Sequence, residues 1–283
     1  MVELKEDMEK ISYYPGCSLE GTARDYRESI RAVCQELGID LEELPDWNCC
    51  GASSAHSIDH EASVGLAERN LVIASRVGRD LVAPCPLCYN RLKTAEKVGG
   101  HTGSKIKVWD LANLLGREEM LKVIESKVKR TLGGIKAVCY YGCMSSRPPK
   151  ITDAEDCENP TSMDRILERI GVEVIPWCYK TDCCGASHTI ARPDLTFRLV
   201  EKLYKKAIEV GANCIAVSCQ MCQANLDIYQ DKISQMQHAQ YYLPALYFTE
   251  LLGCAMGSEG AGMWFARHFV DPARLFSKAG IVV

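Results

Sequence analysis

One arrangement of cysteines occurs twice in this chain. Cys17 is followed by 31 residues, the adjacent pair Cys49-Cys50, 34 residues and then Cys85-Pro86-Leu87-Cys88. Cys143 is followed by 39 residues, the pair Cys183-Cys184, again 34 residues and then Cys219-Gln220-Met221-Cys222. Ten cysteines at matched spacing, each set closing in a C-x-x-C, read as two metal sites of five thiolates each. Any fold for the chain must gather five distant sulfurs, and do so twice.

The setting of those thiols follows from composition. Sixteen cysteines in 283 residues are too many for an ordinary enzyme core. Disulfide-built secreted scaffolds are much shorter than this. The opening MVELKEDMEK is charged and lacks the apolar stretch of a secretory signal. No apolar run approaches the ~18 residues of a membrane span. The expectation is a cytoplasmic protein whose thiols stay reduced and bind metal. A net charge of −4 shows no footprint for nucleic acid.

The duplication extends well beyond the cysteines. Copy one runs from about Ile11 to Gly116 and copy two from about Ile135 to Gly253. Both cysteine pairs continue as Cys-Cys-Gly-Ala-Ser, and both copies close on a helix expected to end in Leu-Leu-Gly, at Gly116 and Gly253. Short apolar runs (ISYYPGC, DLVAPC, IKAVCYYGC, VEVIPWC, CIAVSC) alternate with helical patterns over 60–77, 163–170 and 193–210, and with one carrying Ile30, Val33, Cys34 and Leu37 on a single face. The fold class expected is α/β, with two tandem pseudo-repeated units of parallel sheet and the metal sites at the carboxyl ends of the strands. The division expected is 1–132, including an amphipathic linker helix over 117–132, and 133–283. The proline-rich loop 145–162 is expected to cover a pocket.

A zinc site and a cubane cluster each take four ligands, whereas each copy offers five. Adjacent cysteines in regular backbone point apart and so tend to reach different metal atoms. Gly51 and Gly185 let the chain turn beside them, and Pro84 and Pro86 restrict Cys85. A multi-iron centre therefore suits both copies better than mononuclear zinc, with zinc in the first repeat and a cluster only in the second as the alternative. Of the other cysteines, Cys34, Cys139, Cys178 and Cys214 read as core, Cys157 as an exposed loop residue, and Cys254 follows the last helix. His56 and His188, just after the two pairs, are candidate proton or hydrogen-bond donors. His101 reads as solvent-exposed. Arg24, Arg147, Lys150 and Lys180 are candidate contacts to an anionic substrate, or plain surface charge.

The segments YYPGCSLEGTARDY, DWNCCGAS, PCPLCYNRL, ENPTSMDRI and HFVDPARL, with the repeated Cys-Cys-Gly element, resemble the B-type subunit of heterodisulfide reductase in its bacterial form, over nearly the whole chain. That resemblance implies two non-cubane [4Fe–4S] clusters held by Cys17, Cys49, Cys50, Cys85 and Cys88, and by Cys143, Cys183, Cys184, Cys219 and Cys222. It implies reduction of a small disulfide held between them. It also implies a ferredoxin-like iron–sulfur partner of the C type, fed by a flavin-containing partner of the A type, in keeping with the absence of a G-x-G-x-x-G fingerprint here. The alternative is an electron-relay subunit of a lactate- or succinate-type oxidoreductase without disulfide chemistry.

Overall fold

The computed structural model describes residues 9–98 and 106–282. The first half runs β1 (Glu9–Tyr13), α1 (Gly16–Glu20), α2 (Arg24–Glu36), β2 (Ile39–Glu43), α3 (Ser54–Ile58), α4 (His60–Val77), β3 (Leu81–Ala83), α5 (Pro86–Val98), β4 (Val108–Asp110) and α6 (Leu111–Leu115). Helix α7 (Glu118–Lys127) leads to the second half: β5 (Lys136–Tyr140), α8 (Pro149–Thr152), α9 (Ser162–Arg169), β6 (Glu173–Val174), α10 (Pro193–Glu209), β7 (Cys214–Val217), α11 (Gln220–Ile228), α12 (Gln230–Met236), β8 (Ala245–Tyr247) and α13 (Phe248–Ala255). Two short helices, α14 (Ala261–Phe265) and α15 (Ala273–Lys278), follow.

The two sheets have one topology. Their orders are β2-β1-β3-β4 and β6-β5-β7-β8, and every pairing is parallel. The chain steps one way from the first strand of each sheet to the second, and the other way to the third. Such a reversal opens a crevice beyond the carboxyl ends of the two central strands. Local chemistry sets the element ends. Asp59 caps α4 by accepting from the Ala62 amide at 3.0 Å, and Gly78, at φ 75°, closes it.

Alternation along the first sheet divides the interior. Ile11, Tyr13 and Val82 face one core, while Tyr14, Leu81 and Ala83 face a second that also holds Cys50, Cys85 and Cys88. The first of these cores continues without a break into the second half. Helix α2 packs on α13, and α6 packs on α9. These pairs are equivalent, so the halves meet about a pseudo-twofold axis, each offering the helix after its first strand to the helix after its last. Ser29 and Thr249 share a 2.7 Å hydrogen bond across the seam, and Arg267 bridges Glu28 at 2.9 and 3.1 Å.

The Leu-Leu-Gly motif has a packing role. A Cβ on Gly116 would lie 2.9 Å from the Ser162 side chain, and one on Gly253 2.8 Å from the Trp264 ring. The second motif does not end its helix, because α13 runs on to Ala255. Three strands, β2, β4 and β8, were not apparent as apolar runs: IDLEE is mostly polar, and VWD and ALY are three residues long. Cys178 is exposed rather than core, because β6 stops at Val174. Cys34, Cys139, Cys214 and Cys254 are buried and Cys157 is half-buried. His101 and residues 1–8 lie outside the described residues. Among those described, no helix is long and apolar enough to cross a membrane.

A buried charge cluster locks the C-terminal segment to both halves. His268 Nε2 lies 3.0 and 3.1 Å from the two Glu250 carboxylate oxygens and 3.8 Å from Asp25, and its Nδ1 lies 3.9 Å from Asp227. Burial disfavours the imidazolium, but Glu250, Asp227 and Asp25 outweigh it and raise its pKa to about 9. A folded-state value above that of the unfolded chain (~6.5) gives stability that is present below that pH and lost as pH rises through about 9. Unfolding midpoints measured from pH 7 to 9.5 should therefore fall in the wild type. His268→Gln should cost about 3–5 kcal/mol at pH 7, because it strands buried carboxylates, and should show a flatter alkaline slope. An equal slope in both proteins would place the alkaline loss elsewhere.

Candidate metal centres

The strand ends place the thiols. Cys17 and Cys143 follow β1 and β5, Cys85 and Cys219 follow β3 and β7, and the adjacent pairs lie on the loops after β2 and β6. All ten therefore collect at the two topological crevices. Cys50 and Cys88 stand 3.4 Å apart, sulfur to sulfur, and Cys184 and Cys222 3.5 Å. Cys17 neighbours Cys49 and Cys85 neighbours Cys88; in the second half Cys143 neighbours Cys183 and Cys219 neighbours Cys222. Each set has a buried floor (Cys50, Cys85 and Cys88; Cys184, Cys219 and Cys222) and a more open rim (Cys17 and Cys49; Cys143 and Cys183).

Four contacts recur in both crevices. Gly16 and Gly142, both at φ 68°, carry the chain so close to the floor that an added Cβ would lie 2.9 Å from Cys88 Sγ or 3.0 Å from Cys222 Sγ. Tyr14 Oη donates to the Asn48 carbonyl at 2.7 Å, and Tyr140 Oη to the Asp182 carbonyl at 2.6 Å, tying the first cysteine loop to the residue before each pair. The Gly51 and Gly185 amides point at Cys49 Sγ (3.5 Å) and Cys183 Sγ (3.3 Å). Ser63 and Thr196 hold the carbonyls of those same glycines at 3.2 and 3.0 Å. The tyrosines were overlooked in the sequence, although a tyrosine three residues before the first cysteine of both copies was the available signal.

The electrostatics are those of crowded sulfur. Burial, and then the four thiols around each ring, push Tyr14 and Tyr140 above the usual phenol range, so both stay neutral donors. A hydrogen bond from Cys88 draws Cys50 below the usual thiol value, and one from Cys143 does the same for Cys183. Their partners rise correspondingly. Five soft donors converging in this way fit an iron–sulfur centre, since such clusters are held by thiolates. By contrast, burial pushes Cys34 and Cys214 up to about 12, as expected of inert core thiols.

The two centres are linked. Asn90, two residues after Cys88, donates to the Met144 carbonyl at 3.1 Å and the Arg147 carbonyl at 2.9 Å, just past Cys143. Tyr26 and Tyr247 stack across the seam with centroids 4.1 Å apart, and Tyr26 feels the charge of both Cys85 and Cys219. The loop 145–162 lines a cavity of about 430 Å³ together with Tyr89, Asp110 and Tyr141; none of the array cysteines is in its wall.

The other candidates separate. His56 is exposed, with its Nδ1 3.1 Å from an Arg91 nitrogen, and His188 is exposed near Cys183. Lys180 is neither surface charge nor free for substrate, for it is buried, 2.7 Å from Asp164 and bonded to the Pro160 carbonyl. Arg147 is held by Glu158 and Thr181. Arg24 and Lys150 are exposed.

A cysteine-rich domain family, CCG, matches residues 11–93 and 137–227, one copy per repeat. The 8-methylmenaquinol:fumarate reductase membrane anchor subunit of Wolinella succinogenes is 28% identical over 281 residues, across 94% of this chain and 99% of its own. The B subunit of the ferredoxin:CoB-CoM heterodisulfide reductase of Methanosarcina mazei is 27% identical across 96% and 97%. Lactate utilization protein A 1 of Bacillus mycoides is 23% identical across 77% and 88%. A solved hypothetical protein from Helicobacter pylori shares the fold at a TM-score of 0.70 and 11% identity, over 93% of this chain and 52% of that one.

The glycine approach is testable. Gly16→Ala and Gly142→Ala should each lower iron bound after anaerobic reconstitution by roughly half, the share of one site, because the new methyl displaces a sulfur. Gly38→Ala, at φ 73° with open space around it, imposes similar backbone strain and should keep full loading. Full iron in both alanine variants would remove the close approach from the site.

Proposed function

The chain belongs to the cysteine-rich CCG-domain family that includes the B-type subunit of heterodisulfide reductase, and on that premise we propose that it is the catalytic iron–sulfur subunit of a heterodisulfide reductase-like oxidoreductase. Each of the units 1–132 and 133–283 holds one non-cubane [4Fe–4S] cluster through its five array cysteines. The observation that carries this reading is the convergence of five thiols at each strand-end crevice. Four ligands would satisfy zinc or a cubane, and the fifth would then have no reason to be there.

Such clusters supply single electrons when bound. Cleaving a disulfide takes two electrons and two protons and releases two thiols. On this reading one substrate sulfur would meet each crevice, the two crevices being related by the pseudo-twofold seam. Tyr14 and Tyr140 hold the cysteine loops as neutral donors. His188, near Cys183, would hand a proton to a departing thiolate, whereas His56 faces Arg91. The electrons come from a ferredoxin-like iron–sulfur protein fed by a flavin-bearing one, in a cytoplasmic complex.

A second reading, an electron-relay subunit without disulfide chemistry, is favoured by the similarity to the fumarate reductase relative across 99% of its length. The two readings part experimentally. Anaerobically purified protein should contain iron and sulfide for two clusters and no zinc, and its reduced form should be reoxidised by a mixed disulfide with release of thiols in a two-to-one ratio to disulfide consumed. Zinc in the first repeat would sink the two-cluster reading. Full clusters that no disulfide reoxidises would leave only the relay.

A further inference from the structure

The two crevices repeat one another in backbone and sulfur, but not in charge. Three residues past each C-x-x-C, on the inward turn of α5 and α11, stand Arg91 and Asn225. Arg91 is half-buried. Its Nη2 donates to Asn90 Oδ1 at 2.8 Å, its Nη1 meets His56, and its Nε is buried without a partner. Arg91 lies about one turn of α5 past Cys88, whose Sγ is 3.4 Å from Cys50 Sγ, and the guanidinium is within electrostatic reach of Cys50. At the matching place Asn225 is buried, donates to the Cys184 carbonyl at 3.2 Å and points its amide at Cys184 Sγ from 3.7 Å. Thr189 holds the other end of that amide at 3.1 Å.

The residue before each cysteine pair differs in the same sense. It is Asn48 in the first copy and Asp182 in the second. The Asp182 carboxylate is compensated by Lys202 at 3.1 Å on the exposed side, so it contributes less than a bare charge. The amide contacts of Gly51 and Gly185 to sulfur are shared and cancel in the comparison. Three residues past the C-x-x-C the difference is a fixed cation at one site against a neutral amide at the other, while the second site's own Arg147 and Asp182 are paired with Glu158 and Lys202. An amide dipole decays faster with distance than a full charge, so the guanidinium dominates. Net charge and hydrogen bonds to sulfur are what a protein uses to set an iron–sulfur potential.

Resting on the two-cluster reading above, we propose that Arg91 makes the two centres electrically unequal, the first-repeat centre being the easier to reduce and the second-repeat centre the stronger reductant. Arg91 is a positioning and tuning residue rather than a catalytic one. An electron shared between the centres rests on the first.

Redox titration of the fully loaded protein, followed by electron paramagnetic resonance and visible absorption, reads this without turnover. It is run at one fixed pH for the wild type and every variant. The wild type should show two midpoints. Arg91→Gln should lower the higher one alone, Arg91→Lys should keep the wild-type gap, and Asn225→Arg should raise the lower one alone. A single shared midpoint in the wild type, an Arg91→Gln shift of both centres or of the lower one, or no shift at all overturns the inference while leaving two clusters in place. Loss of iron and sulfide stoichiometry in the wild type itself would instead overturn the two-cluster reading, and this inference with it.

Discussion

Five sulfur atoms at the floor and rim of one crevice are a standing electrostatic conflict. As thiolates they repel, and as thiols several of them bury without strong partners. In this chain the conflict shows as proton sharing: hydrogen bonds with Cys88 and Cys143 draw Cys50 and Cys183 down, and those two partners rise in turn. A cationic centre resolves it by replacing protons with metal–sulfur bonds. Everything around the thiols then serves to keep them converged: glycines too small to displace a sulfur, neutral tyrosines tying loop to loop, and serine or threonine holding the turn after each pair.

Convergence is cheap at this position because of topology. Parallel strands in the order 2-1-3-4 end their central members side by side and send their loops apart, leaving a crevice with no extra construction. Duplication supplies a second crevice, and the seam decides how the two relate. Since α2 meets α13 while α6 meets α9, the sites are exchanged by a pseudo-twofold rather than strung along the chain. The Asn90 bonds to the loop past Cys143 and the Tyr26–Tyr247 stack then couple one site's walls to the other's. A shift of either half against the other must break these contacts.

The parts of this arrangement legible in the sequence were those with a local signature. The cysteine spacing located both crevices, and α4 runs from His60 to Val77 as its periodicity indicates. What was not legible depended on partners distant in sequence. IDLEE offers only two apolar residues, Ile39 and Leu41, in a short alternation too weak to stand out until β1 pairs beside it. Lys180 looks like any loop lysine until Asp164 and the Pro160 carbonyl close around it. Arg91 looks like ordinary helix charge until α5 is docked, which turns its Nε into the interior.

The two copies also show where a duplicated site is free to diverge. Glycines, tyrosines and the hydroxyl after each cysteine pair are matched because each sets the path of a cysteine loop: Gly16 and Gly142 pass against a sulfur, and the others hold loop carbonyls. Positions one step further out are not matched. At the end of the last strand Asp110 caps α6, accepting from the Asn113 amide at 3.2 Å, while Tyr247 stands at the equivalent place and presents a ring to Tyr26. Burial lifts the Asp110 carboxyl to about 6, so one side of the seam offers an acid that titrates near neutrality and the other an aromatic face. A symmetric frame with asymmetric charge is what a two-centre protein needs if electrons are to have a direction. On the proposed reading the matched positions would hold the metal and the unmatched ones would set the direction of its use.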